Sequence, residues 1–185
     1  MVMKCIGIIL ILFFATSGHA ESKWSDIEAS KVQEAKKVLM PLKKQLKGTL
    51  QTSVKEKGLM GAISACQIQA PQIQGELLQK GVKVGRTSHK LRSLANEPKD
   101  WMKGPLKEYA ETHEGKKPAY QLVALENNLY GYLEPIYAKG MCLNCHGQNL
   151  KTEVAQKIKA LYPKDQATGF KEGEFRGFFW AVLGD

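Results

Sequence analysis

The sequence predicts an α+β protein, an antiparallel sheet flanked by helices with a long amphipathic helix at the N-terminal end. Three observations carry this expectation. Apolar residues recur every three to five positions from Trp24 to Val54, which is the period of one helix face. Between residues 120 and 137 two runs rich in Tyr, Leu, Val and Ile are joined by Glu126-Asn127-Asn128, turn chemistry that suits a hairpin. Near the C-terminus, Phe175 to Leu183 is a short aromatic and apolar run of the length of a buried strand.

Taken in order, residues 1–20 have their own logic. Lys4 is their only charge, an apolar run from Cys5 to Ala15 follows, and Ser17, Gly18 and Ala20 supply small residues before a cut. That is the pattern of a cleaved secretory signal peptide, and the run is about half of the ~20 residues that a membrane span needs. The expected mature chain, residues 21–185, is one exported domain with a periplasmic location.

The first helix shows Trp24, Ile27, Val32, Ala35, Leu39, Leu42, Leu46, Leu50 and Val54 on one face, lysines on the other, and Pro41 as a point of kinking. Gly58 punctuates. A second helix follows through Leu59, Ala62, Ile63, Cys66 and Ala70 to about Leu78. Cys66 stands three residues after Ile63 and four after Ala62, so its thiol is expected in the core. Residues 81–91 turn strand-like, with Val82, Val84 and Thr87 interleaved by Arg86, His89 and Lys90. Asn96-Glu97-Pro98 then opens a helix to about Thr112, with Trp101, Met102, Leu106 and Tyr109 inward. After the hairpin, a short helix is expected from Thr152 to Leu161, ended by Tyr162-Pro163, with Gly169 as a further breaker.

Composition excludes more than it selects. Hydrophobic residues at 43% and charged residues at 24% are those of an ordinary soluble domain. The formal net charge is +9, of which Lys4 contributes one. The surplus is spread along the chain without a dense Lys/Arg block, so it favours an acidic redox partner or peripheral contact with an anionic membrane surface rather than nucleic acid. The long N-terminal stripe also allows a dimer contact.

Four cysteines become three once Cys5 leaves with the leader: Cys66, Cys142 and Cys145. An odd count in an oxidising compartment leaves a thiol to be explained. Two of them stand in Cys142-Leu143-Asn144-Cys145-His146, the attachment pattern of a c-type haem. Thiols separated by two residues can reach both vinyl groups as thioethers, and the next residue, His146, is then held beneath the iron. One such motif implies one covalent haem. The competing readings are a redox dithiol and half of a zinc site. Zinc would need further paired Cys or His, and the dithiol would need a strand–helix context that does not precede Cys142.

Several segments resemble, in order, a family of haem-bearing PAS-like c-type domains. They are Ala62-Ile63-Ser64-Ala65-Cys66, Val84-Gly85-Arg86-Thr87-Ser88, Ala95-Asn96-Glu97-Pro98, Cys142 to Gly147, and Tyr162 to Gly169 continuing through Phe175-Arg176-Gly177. The resemblance implies a PAS-like sheet with flanking helices, His146 as one axial ligand and Cys66 as the other. Members are free periplasmic proteins or sensory domains fused to signalling enzymes. The sequence departs from the pattern at His89 and at Ser93-Leu94, and His89 is a rival second ligand. From the residues alone, Cys66, His89, His113 and the methionines all stay open for that role. Arg86 and Arg176 are basic residues within matched segments, suited to haem carboxylates or to surface ion pairs. The expected function is electron transfer by an exported monohaem cytochrome. The alternatives are a redox or small-ligand haem sensor and, more remotely, a thiol-disulfide oxidoreductase.

Overall fold

The computed structural model describes residues 18–111 and 118–184. The expected leader lies outside these residues except for its last three, as does His113. Eight helices and strands succeed one another within them: α1 (Gly18–Gln79), β1 (Val84–Thr87), α2 (Asp100–Glu111), β2 (Gln121–Ala124), β3 (Tyr130–Tyr137), α3 (Leu143–His146), α4 (Thr152–Leu161) and β4 (Phe175–Leu183). The fold is α+β, with a four-stranded antiparallel sheet in the order β1-β4-β3-β2. Among the described residues no helix is long and apolar enough to cross a membrane.

The helix α1 is two helices in effect. Gly58 interrupts it with φ 63 and ψ −169, torsions that only glycine adopts without strain. The break falls there and not at Pro41. The two halves fold back on a shared cluster, in which Val32, Ala35, Leu39 and Leu42 of the first meet Ile73 and Leu77 of the second over Val84, Tyr132, Ala181 and Leu183 of the sheet. The other face of the sheet carries Leu133, Phe178 and Trp180 against Met102, Leu106 and Tyr109 of α2. Tyr132 and Leu133, adjacent in β3, therefore pack on opposite faces, as the two-residue period of a strand requires.

The last strand in sequence lies inside the sheet, which explains why Phe175–Leu183 has almost no polar residue. Its neighbour β1 is shorter than the expected 81–91 stretch. Ser88 ends the ladder by donating its hydroxyl to Arg176 O at 2.5 Å and accepting from Lys90 N at 3.1 Å, side-chain bonding that competes with strand pairing. The β2–β3 hairpin turns at Asn127 (φ 57) and Asn128 (φ 55), the left-handed pair that a tight two-residue turn demands.

The pairing of β3 with β4 is irregular at one end. Gly177 pairs with Ile136 and Phe175 with Tyr137, so Arg176 is an extra, bulged residue. Without the bulge Phe175 would share the α1 face with Ala181 and Leu183, yet it packs with Phe178 and Trp180 on the α2 face. The bulge thus turns Arg176 to the α1 side, a recognised use of such insertions.

Candidate functional site

Cys142, Cys145 and His146 sit where a 3-10 turn (Gly140–Cys142) runs into α3. Glu172 anchors the start of that turn by accepting from Gly140 N at 2.9 Å. A helical turn places residues three and four apart on one side, so Cys142 gathers with Cys145 and His146 where an extended chain would separate them. Gly147 ends the helix beside Phe170, and any Cβ there would strike Leu143 and its carbonyl. All three thiols, Cys66, Cys142 and Cys145, are free and half-buried.

His146 is the most constrained of the group. Its Nδ1 meets Ala167 O at 2.6 Å, so the proton lies on Nδ1 and Nε2 keeps its lone pair, the state in which imidazole ligates a metal. Burial, followed by the charges of Arg176 and Arg92, takes its pKa down to about 2, so the ring is neutral. The residues after Tyr162 act as a splint. Phe170 N donates to His146 O at 3.0 Å and Gly169 N to Gly147 O at 3.0 Å.

Sequence reasoning missed the centre of this splint, Arg92 with Asp165. Arg92 Nε donates to Asp165 Oδ1 at 3.0 Å, and the two N–H groups of Nη2 are shared among Cys145 O at 2.7 Å, Asp165 Oδ2 at 3.2 Å and Ala167 O at 3.2 Å. Arg92 therefore caps a carbonyl that the last turn of α3 leaves unpaired. The available signal was Asp165 two residues before Ala167. Its carboxylate accepts from Ala167 N at 3.0 Å, a local turn habit of Asp.

Cys66 approaches from α1, beyond the Gly58 break. It is half-buried, not sealed into the core as expected, because the apolar face of the helix is divided there. Ile63 joins Val154 and Ile158 of α4, while Ile73 and Leu77 join the sheet. Burial pushes the Cys66 thiol up, and Arg86, Arg92 and Arg176 draw it back. Cys145 in turn feels Cys66, so the α1 thiol and the α3 pair share one electrostatic environment.

Two cations complete it. Val84 is on the α1 face, and Arg86, two residues on, shares that face with the redirected Arg176. Neither guanidinium has a carboxylate partner among the described residues. Burial and repulsion by Arg86 bring Arg176 down to about 10. Burial also lowers Arg86, against the opposing influence of Cys66 and Tyr162.

The other candidate ligands are placed elsewhere. His89 is stacked on Phe175 (centroids 5.6 Å, 11°) and meets Phe170 edge-on at 5.8 Å. Phe170 also touches the His146 ring, at 6.5 Å, so it stands between the two imidazoles. Met60 and Met141 are exposed. Among the described residues no group of three His, Cys, Asp or Glu side chains gathers to hold a bare metal ion.

Fold and site together define an α+β protein that presents a Cys-x-x-Cys-His helix between a two-part N-terminal helix and a basic sheet face. A family model, Tll0287-like, matches residues 22–182. The chain belongs to that family. Among solved structures it is similar to the cyanobacterial haem-protein Tll0287, with a TM-score of 0.56 and 19% identity over 92% of this chain and 98% of that one. At that identity the likeness shows the fold alone. No curated protein matches the chain.

Proposed function

We propose that this chain is an exported monohaem c-type cytochrome that transfers electrons. In this reading residues 1–20 are a leader, residues 21–185 form one haem-binding domain in the periplasm, and the partner is an acidic redox protein. Cys142 and Cys145 attach the haem, His146 binds its iron, and Cys66 is the second axial ligand. The observation that carries the reading is His146 Nδ1 committed to Ala167 O at 2.6 Å, which leaves Nε2 for a metal beside two free thiols on the same turn. The remaining donors also fit the group. A haem carries two carboxylates, and Arg86 and Arg176 are two guanidiniums without acidic partners among the described residues. The family match and the identity of the solved relative as a haem-protein support the same assignment.

Bound there, haem would supply a one-electron iron couple. The chain's own residues do the rest. Arg92 and the 162–170 segment hold α3 rigid, the neutral imidazole presents Nε2, and Cys66 offers sulfur from a different element. A thiolate ligand donates electron density and favours ferric iron, so the reduction potential is expected below that of a Met/His pair. A redox-sensing role is the second reading. It is favoured by the placement of Cys66 on the far segment of α1, where ligand release would act on an element separate from the attachment helix.

The test is the protein matured in a host with haem-attachment machinery. Haem stain retained on a denaturing gel and a low-spin ferric spectrum are expected. A colourless product with Cys142 and Cys145 free would overturn the proposal and restore the thiol-disulfide alternative. Cys66→Ala is expected to change the ferric absorption and paramagnetic resonance spectra, and unchanged spectra would remove Cys66 as a ligand.

A further inference from the structure

Arg92 and Asp165 belong neither to the attachment segment nor to the candidate ligand pair, yet they meet His146 at a single atom. Ala167 O accepts from His146 Nδ1 at 2.6 Å and from Arg92 Nη2 at 3.2 Å. The guanidinium is pinned by both oxygens of Asp165. The pair is largely sealed, at 16% and 8% side-chain exposure, and its cation is turned onto two main-chain carbonyls and not out to water. A carbonyl oxygen has two lone pairs, and a charged donor on one of them weakens what the other takes. The strength of the Nδ1–H bond in turn sets how basic a ligating imidazole is.

From this geometry we infer that Arg92, held by Asp165, is a positioning residue that tunes His146. It limits how strongly Ala167 O draws on the Nδ1 proton and thereby sets the electron donation of Nε2 to a bound haem iron. The inference rests on the haem reading above. It goes beyond it by giving the splint an electronic role with a sign.

Removing Arg92 frees the carbonyl, strengthens the Nδ1–H···O bond and deletes a positive charge. Both changes favour ferric iron. Asp165→Asn keeps an oxygen for Arg92 Nε but leaves the guanidinium charge uncompensated, which favours ferrous iron. A purely structural clamp would loosen in either variant and move both in one direction.

The experiment compares Arg92→Gln, Asp165→Asn and the double variant with the parent, each as the full chain matured with haem. Equal haem retention on a denaturing gel is expected. The midpoint potential should fall in Arg92→Gln, rise in Asp165→Asn and return toward the parent in the double variant, with a stronger iron–imidazole stretch by resonance Raman in Arg92→Gln. Two shifts of the same sign, or none, would overturn the inference. Should Arg92→Gln not fold, Arg92→Lys is expected to lower the potential by less. In the unsubstituted chain, slowly exchanging and unaveraged Arg92 guanidinium protons are expected by nuclear magnetic resonance, and a freely rotating guanidinium would overturn the clamp. A parent protein without haem would instead sink the haem reading, leaving the guanidinium exchange to judge the clamp alone.

Discussion

The two sides of the site are built on opposite terms. On the α3 side almost every polar group is already satisfied, since His146 bonds Ala167 O, Arg92 bonds Asp165 and two carbonyls, and the backbone of residues 165–170 is tied to α3 and Leu91. On the α1 side, Cys66 makes no disulfide, and Arg86 and Arg176, whose charges act on it, have no acid to balance them among the described residues. One side is finished by the protein alone. The other holds charge that folding does not compensate, which costs stability unless a ligand supplies the missing anions. The difference teaches that the α3 side is fixed by the protein's own bonds while the α1 side is left with cations that a bound anion would compensate.

The largest expected effect comes from breaking the finished side at the two proposed attachment thiols. Replacing both Cys142 and Cys145 by Ser is expected to abolish haem retention on a denaturing gel. The fold should survive, because neither thiol makes a disulfide, and circular dichroism of the variant should stay close to that of the haem-free parent. A variant that still holds haem through denaturation would place the attachment elsewhere.

A smaller effect tests how the α1 side is built. Gly177 has φ 146, and a Cβ there would lie well inside contact distance of Thr87 O and against Ser88. Gly177→Ala combines a torsion reserved for glycine with overpacking against backbone, so a loss of about 3 kcal/mol is expected. Denaturant unfolding checks it, as a lower midpoint at unchanged slope. Because Gly177 adjoins the bulge that turns Arg176 to the α1 side, the variant should also move Arg176 away from its hydrogen-bond neighbour Cys142. Unaltered stability would mean that the bulge relaxes freely and does not direct the side chain.

How much of this was legible in the sequence divides along the same line. The grouping of Cys142, Cys145 and His146 on α3 was readable because the motif is local, with thiols two residues apart and a histidine next to them. The hairpin was readable because Asn127 and Asn128 both accept positive φ, and α4 and β4 because their breakers stand at their ends. Arg92 was not readable, since its partners Cys145, Asp165 and Ala167 lie 53 to 75 positions away and nothing near it in the chain calls for a carboxylate. Arg176 was singled out from its matched segment, but the side of the sheet it lies on was not readable. Strand alternation places it on the α2 face, and only the bulge, set by pairing with β3, reverses that. Cys66 was placed on the correct helix face but at the wrong depth, because apolar period does not reveal where one face passes from α4 to the sheet.

The smallest expected effect isolates the uncompensated charge. Arg86→Met keeps most of the side chain's length and apolar stem while removing a guanidinium that burial already disfavours. In the haem-free chain this is expected to stabilise the fold by about 1 kcal/mol, the lower end of what an unpaired polar group loses on burial. In the haem-loaded protein the sign is expected to reverse, because under the proposed assignment a haem carboxylate would meet the guanidinium and its removal would strand that anion. Denaturant midpoints of both forms, measured side by side, give the comparison. Stabilisation in both would mean that Arg86 is a burdened cation with no ligand role, and destabilisation in both would mean that its packing stem matters more than its charge.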